Sequence, residues 1–365
     1  MINDKLETAE MIIQNSAKLN IDLNDKDNFG NTAFHLSCEN GNLEVTKVLL
    51  QKSEEYKIGL DVKNQSERTA FHLVCEYGHL LMTEILIEKS VEHNISLNAK
   101  DANGLTSFHL ACKNGHIKIA KVLMQKSANL DIDFNAKDKM GCTAFHLACE
   151  KDWESLVDML IQNSVEYNID LNAKDIHDLT GFHRACHLGY TGLVIAMIQK
   201  SVEYDIILNA SNVDGLTSFH LACKNGHVEI AKILMQRSTE LEIDLNAKDK
   251  MGCTAFYLAC EEDCMSLVDM LIQNSVEYDI DLNANDIHGL TGFHRACHLG
   301  YASIVELLIN NAISLNIDLK ATDNENNNGL EMAEENGKTE IVNLLKRKLP
   351  NDIFGSMDKR QRLFL

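Results

Sequence analysis

Residues 143–149 read Thr-Ala-Phe-His-Leu-Ala-Cys, and a close copy of that phrase returns every 37 residues. Its aromatic positions are Phe34, Phe71, Phe108, Phe145, Phe182, Phe219, Phe256 and Phe293, with no break in the spacing. A fixed period of this size marks a stacked repeat array, in which each unit buries its apolar face against the next. Such an array offers a surface and no obvious catalytic cleft.

One period, Asp138 to Asn172, reads DKMGCTAFHLACEKDWESLVDMLIQNSVEYNIDLN. Asp138-Lys-Met-Gly141 has the composition of a turn, with Gly141 free to take positive φ. Thr143 can cap a short helix by accepting backbone N–H groups, and Phe145, Ala148 and Cys149 then share one helical face. Lys151-Asp152 ends that helix, and a second follows with Leu156, Val157, Leu160 and Ile161 on its buried stripe.

These residues resemble the ankyrin repeat, whose phrase D-x-x-G-x-T-P-L-H-x-A, then helix, G-H, second helix and a closing N-A, recurs over residues 25–345. The resemblance implies an all-α solenoid of helix-turn-helix repeats with β-turn fingers, binding other proteins on its fingers and concave face. Three departures stand out. The Pro after Thr is Ala, Ser or Gly throughout, the usual Leu is Phe with a compensating Cys, and the period is 37 where the family has 33. The four extra residues make about one α-helical turn. They predict a longer second helix, closed by a left-handed residue near Asn168 and its equivalents Asn20, Asn94, Asp205 and Asp279, the alternative being a looser loop of the same length.

The expected organisation is a partial repeat over 1–24, holding a second helix only, eight full repeats over 25–322, a capping repeat over 323–348 and a tail over 349–365. The partial repeat reads as a worn cap or as the start of a fragment of something longer. The cap is polar where the other units are apolar, with Glu334 for the Cys and Glu331 for the His. Residues 102–212 and 213–323 agree at 77 of 111 positions, so a recent duplication presents the same surface groups twice.

A net charge of −20 argues against phosphate-backbone binding, which needs a basic stripe, and fits either a plain solvated surface or a protein partner carrying a basic patch. No run reaches membrane-span length, and the opening MINDKLETAEM lacks signal-peptide character. The expectation is a monomer in the cytoplasm with reduced thiols. Eight of the 11 cysteines fall four residues after the repeat Phe and read as core filler; Cys142, Cys253 and Cys264 do not. The recurring His-x-x-Cys could offer two metal ligands, but a second pair would have to cross roughly 8–10 Å between stacked helices. The histidine is better read as bonding its own helix cap and finger. With no phosphate loop, GxSxG or HExxH, neither an enzyme nor a cofactor is expected.

What breaks the repetition is left for recognition. Met140, Cys142, Ile176 and His177, with their copies Met251, Cys253, Ile287 and His288, stand at finger positions. Arg184 and Arg295 replace the Leu of the phrase, with His187 and His298 one turn on, and the mixture suits a binding hot spot. Leu105, Leu179, Leu216 and Leu290 fit that surface or packing of finger against finger equally well. Asn98, Asn135, Asn172, Asn209, Asn246 and Asn283 end the link before each finger, where asparagines of the resembled family can be hydroxylated; the alternative is turn hydrogen bonding. In the tail, Lys346, Arg347, Lys359, Arg360 and Arg362 fit a bipartite nuclear-import pattern, or Lys346–Lys348 complement the last helix dipole. Leu349–Ile353 resembles the opening of an F-box-like segment, which implies a ubiquitin-ligase adaptor as the alternative to a simple binding module or a structural scaffold.

Overall fold

The computed structural model describes residues 2–127, 130 and 132–349. They form two compact units, one of the described residues up to Ile176 with Val202–Ile206, the other of His177–Ser201 with the described residues from Ile207 onward. The first holds α1 (Ile2–Leu19), α2 (Ala33–Glu39), α3 (Leu43–Gln51), α4 (Ser53–Tyr56), α5 (Ala70–Tyr77), α6 (Leu80–Lys89), α7 (Ser107–Lys113), α8 (Ile117–Lys126), α9 (Ala144–Glu150) and α10 (Glu154–Gln162). The second holds α11 (Gly181–Leu188), α12 (Thr191–Lys200), α13 (Ser218–Lys224), α14 (Val228–Gln236), α15 (Ala255–Glu261), α16 (Met265–Asn274), α17 (Gly292–Leu299), α18 (Ala302–Leu315), α19 (Gly329–Glu335) and α20 (Thr339–Lys348).

Each unit is a stack of helix pairs, as the spacing predicts for an all-α repeat fold. The first helices of successive repeats pack on one another, α2 on α5, α5 on α7 and α7 on α9 in one unit, and α11 through α19 likewise in the other. Between these layers every repeat Phe is at most 3% exposed, and Cys38, Cys75, Cys112, Cys149, Cys186, Cys223, Cys260 and Cys297 are fully buried. Burial pushes the Cys38 thiol up to about 12, so this sulfur packs as a small apolar group.

The Thr-x-x-His of each phrase is a capping box with His in the place where Glu or Gln usually stands. At α7 the Thr106 amide donates to His109 Nδ1 at 3.2 Å, and the His109 amide donates back to Thr106 Oγ1 at 3.4 Å. An amide can only donate, so Nδ1 carries the lone pair and Nε2 the proton. That proton points at the Cys142 carbonyl of the next finger, 3.1 Å away. His35, His72, His183, His220 and His294 repeat the pattern against Arg68, Leu105, Ala210, Cys253 and Ala321. Both ring nitrogens are thereby committed. Tyr257 cannot accept the cap amide, and its hydroxyl donates instead to Asp286 Oδ2 at 3.1 Å.

The extra four residues depart from the expected longer helix. The left-handed residues occur where predicted, at Asn20, Asn94, Asn168, Asp205 and Asp279 with φ of 50–54°. The α-helix, however, stops short of them at Lys89, Gln162, Lys200 and Asn274, and irregular turns fill the gap. A serine at the break competes for the helix carbonyls: Ser90, Ser201 and Ser275 donate to Ile87, Ile198 and Ile272 at 2.7–2.8 Å. Where Ala312 replaces that serine, α18 runs unbroken to Leu315. In α1 the helix continues past Ser16, so the serine favours the break without forcing it.

Candidate functional site

Hydrogen bonds within and between the fingers hold them, as the one that carries Met140 shows. Asp138 accepts on Oδ1 from the Met140 and Cys142 amides, both at 2.8 Å, and its own amide donates to the Cys142 carbonyl at 3.0 Å. Gly141 supplies φ of 74°, and a Cβ there would lie 2.9 Å from the Ile176 amide nitrogen. Each tip is also hydrogen-bonded to the next, Ile176 to the Met140 carbonyl at 3.1 Å and Ile287 to that of Met251 at 2.9 Å. Behind the tips, Lys26, Lys63, Lys100 and Lys137 each donate to the carbonyl of the residue 37 further on, at 2.8–2.9 Å.

On these fixed turns the large apolar side chains stay in solvent. Met140 and Ile176 are 50% and 54% exposed on the first unit, Met251 and Ile287 49% and 53% on the second. His177 and His288 are exposed beside their tips. Arg184 and Arg295 are half-buried, and Arg295 donates from Nε to Glu261 Oε1 at 2.9 Å and also from Nη2, an ion pair within the unit. His187 and His298 each accept on Nδ1 from an asparagine of the next repeat, Asn225 at 3.1 Å and Asn336 at 3.0 Å.

Two of the expected surface residues are not on the surface. Cys142 packs with Leu105, Leu110 and Leu147, and Cys253 with Tyr257 and Leu258 against Leu216 and Leu290. The turn closes over the residue before the capping Thr, so its side chain faces the helix below and cannot meet a partner. The same packing takes Leu105, Leu216 and Leu290 into the fingers' own core.

The asparagines bridge adjacent repeats. Asn246 donates from Nδ2 to the Asp279 carbonyl at 2.7 Å and accepts from the Asp281 amide at 2.8 Å; Asn135 and Asn283 do the same to Asn168 and Asp170 and to Asn316 and Asp318. Asn172 donates to Asp205, and Asn98 accepts from Asp133 at 3.3 Å. Asn209 makes neither bond and lines a cavity of about 150 Å³. Lys346 is paired with Glu334 at 2.8 Å and Lys348 with Glu306 at 3.1 Å, while Lys359, Arg360, Arg362 and the Pro350–Ile353 stretch lie outside the described residues.

A groove missed by the sequence reading lies in the first unit. Phe29, 71% exposed, stands on a finger tip above Leu36 of α2 and Tyr77 of α5, which are 39% and 50% exposed, and buried Leu73 forms the floor of a space of about 500 Å³. Register alone could have flagged it, since Phe29 precedes Met140 by three periods.

A model of ankyrin repeats in three copies matches residues 1–96, 53–138, 90–175 and 182–286, and a single ankyrin-repeat model matches 288–322. The chain belongs to the ankyrin-repeat family. Its fold is similar to the crystal structure of the ankyrin repeat domain of Bcl-3, a unique member of the IkappaB protein family. The TM-score is 0.55 at 22% identity, over 66% of this chain and 98% of that one. No curated protein matches the chain. Ankyrin repeats form a protein-interaction scaffold, and the exposed groups above lie on its fingers and first helices. Among the described residues no helix is long and apolar enough to cross a membrane.

Proposed function

We propose that this ankyrin array is a non-catalytic adaptor or inhibitor that holds a protein partner on its fingers and first helices. The observation that carries the reading is the exposure of Met140, Ile176, Met251 and Ile287 on turns that have no freedom to fold them away. Apolar groups on a pre-ordered backbone lose little entropy on binding, which is what a recognition surface requires. His177, Arg184, His187, His288, Arg295 and His298 supply the polar rim.

The test is affinity purification of the tagged full chain from its native cells, beside a variant with Met140→Ser, Ile176→Ser, Met251→Ser and Ile287→Ser. Loss of a co-purifying protein, with helix content unchanged by circular dichroism, supports the reading. Retention of every co-purifying protein would leave the tips without a binding role and favour a scaffold.

A further inference from the structure

The groove under Phe29 differs from the other finger sites in carrying aromatic rings and uncompensated carboxylates together. Phe29 is held out by its turn: Asp27 Oδ1 accepts from the Phe29 and Asn31 amides at 2.8 Å, Gly30 takes φ of 79°, and Gln65 donates to the Phe29 carbonyl at 3.0 Å. Across the space, the Tyr77 hydroxyl donates to Glu39 Oε1 at 3.4 Å. Asp27 and Glu39 therefore border the groove with their charges facing solvent. The hydrogen bond from the Asn31 amide, joined by that from Phe29, holds the Asp27 carboxyl below its ordinary range, so it stays ionised.

The cation in the lining does not balance them. Arg68 donates from Nη1 to Glu76 at 2.7 Å and from Nε to Asp101 at 3.2 Å, two carboxylates for one guanidinium. Lys26 and Lys63, the nearest lysines in sequence, are turned to backbone carbonyls of the next repeats. The groove thus presents two exposed rings, an apolar floor and a surplus of negative charge. Ring faces attract guanidinium and ammonium groups, and attract them more strongly beside carboxylates.

We infer that this groove binds a short cationic segment of a partner protein, an arginine on the Phe29 and Tyr77 rings and an adjacent aliphatic side chain over Leu36 and Leu73. The inference rests on the protein-binding reading but uses none of the tip residues that test it.

The experiment measures fluorescence anisotropy of a labelled Arg-Leu-Arg-Leu peptide with the full-length chain, beside Glu-Leu-Glu-Leu and Arg-Ser-Arg-Ser peptides. The expected result is saturable binding of the first peptide alone, weakened by salt and reduced about five-fold each by Phe29→Ser and Glu39→Gln. Glu262→Gln, an exposed carboxylate of the second unit, should leave the affinity unchanged. Absence of saturable binding, equal binding of the acidic peptide, or an equal loss with Glu262→Gln would overturn the assignment, the last because only the net charge would then be acting. If the peptide fails while the tip variant still sheds the native partner, the groove assignment falls and the interaction reading stands.

Discussion

His72 donates from Nε2 to the carbonyl of Leu105, 33 residues on, at 3.2 Å, while the Thr69 amide donates to its Nδ1 at 3.1 Å. Only the neutral ring makes both bonds at once, accepting the Thr69 amide on Nδ1 and donating from Nε2 to Leu105 of the next finger. A proton on Nδ1 would face an amide N–H, and burial already pushes the pKa from 6.5 down to about 4.

The sign of the pH dependence follows. Above pH 6.5 neither state is protonated, and below it the unfolded chain takes up a proton that the folded one refuses until about pH 4. Stability should therefore be full above 6.5 and fall toward 4, by about 3 kcal/mol for His72 alone. His35, His109, His220 and His294 are lowered in the same direction by burial and should add to the loss. Urea midpoints at a series of pH values would show it, and a His72→Gln variant should have a shallower slope between pH 7 and about 4.5.

The asparagines allow a paired comparison. Asn246→Ala removes two inter-repeat hydrogen bonds and should cost about 1–2 kcal/mol. Asn209→Ala removes neither and should be close to neutral. Equal melting shifts for the two variants would contradict the bridging role.

Gly252→Ala should destabilise the finger that presents Met251, at its contact with the next finger. The residue has φ of 79°, and a Cβ would sit 3.0 Å from the Ile287 amide nitrogen and 3.1 Å from the Asp286 backbone, which cannot yield. A loss of at least about 1 kcal/mol is expected, read as a lower thermal midpoint.

Arg295→Ala should hardly change stability. Its ion pair with Glu261 is about a quarter exposed on both sides and contributes at most about 1 kcal/mol. A variant that keeps its melting point and loses a partner would assign Arg295 to recognition; a large melting shift would make it a structural residue.

The period, the helix pairs, the capping Thr and the inward Phe and Cys were legible because each is a local choice repeated eight times, and repetition separates scaffold from accident. The left-handed residues were legible too, since Asn and Asp tolerate that conformation. Where α10 ends was not, because a helix and an irregular turn of equal length satisfy the same pattern of apolar residues. Cys142 was misplaced for a similar reason: a turn residue's side chain faces in or out according to the closure of the finger, which no periodicity reports.

The sequence by itself determined the repeat, its family resemblance and the identity of the buried faces, because burial follows from spacing along one helix. Only the tertiary structure decided which groups remain for a partner. Exposure depends on atoms brought in from 33 to 48 residues away: the carbonyl that takes His72, the carboxylate that holds Arg295, and the second finger and helix that turn Phe29, Leu36 and Tyr77 into one groove.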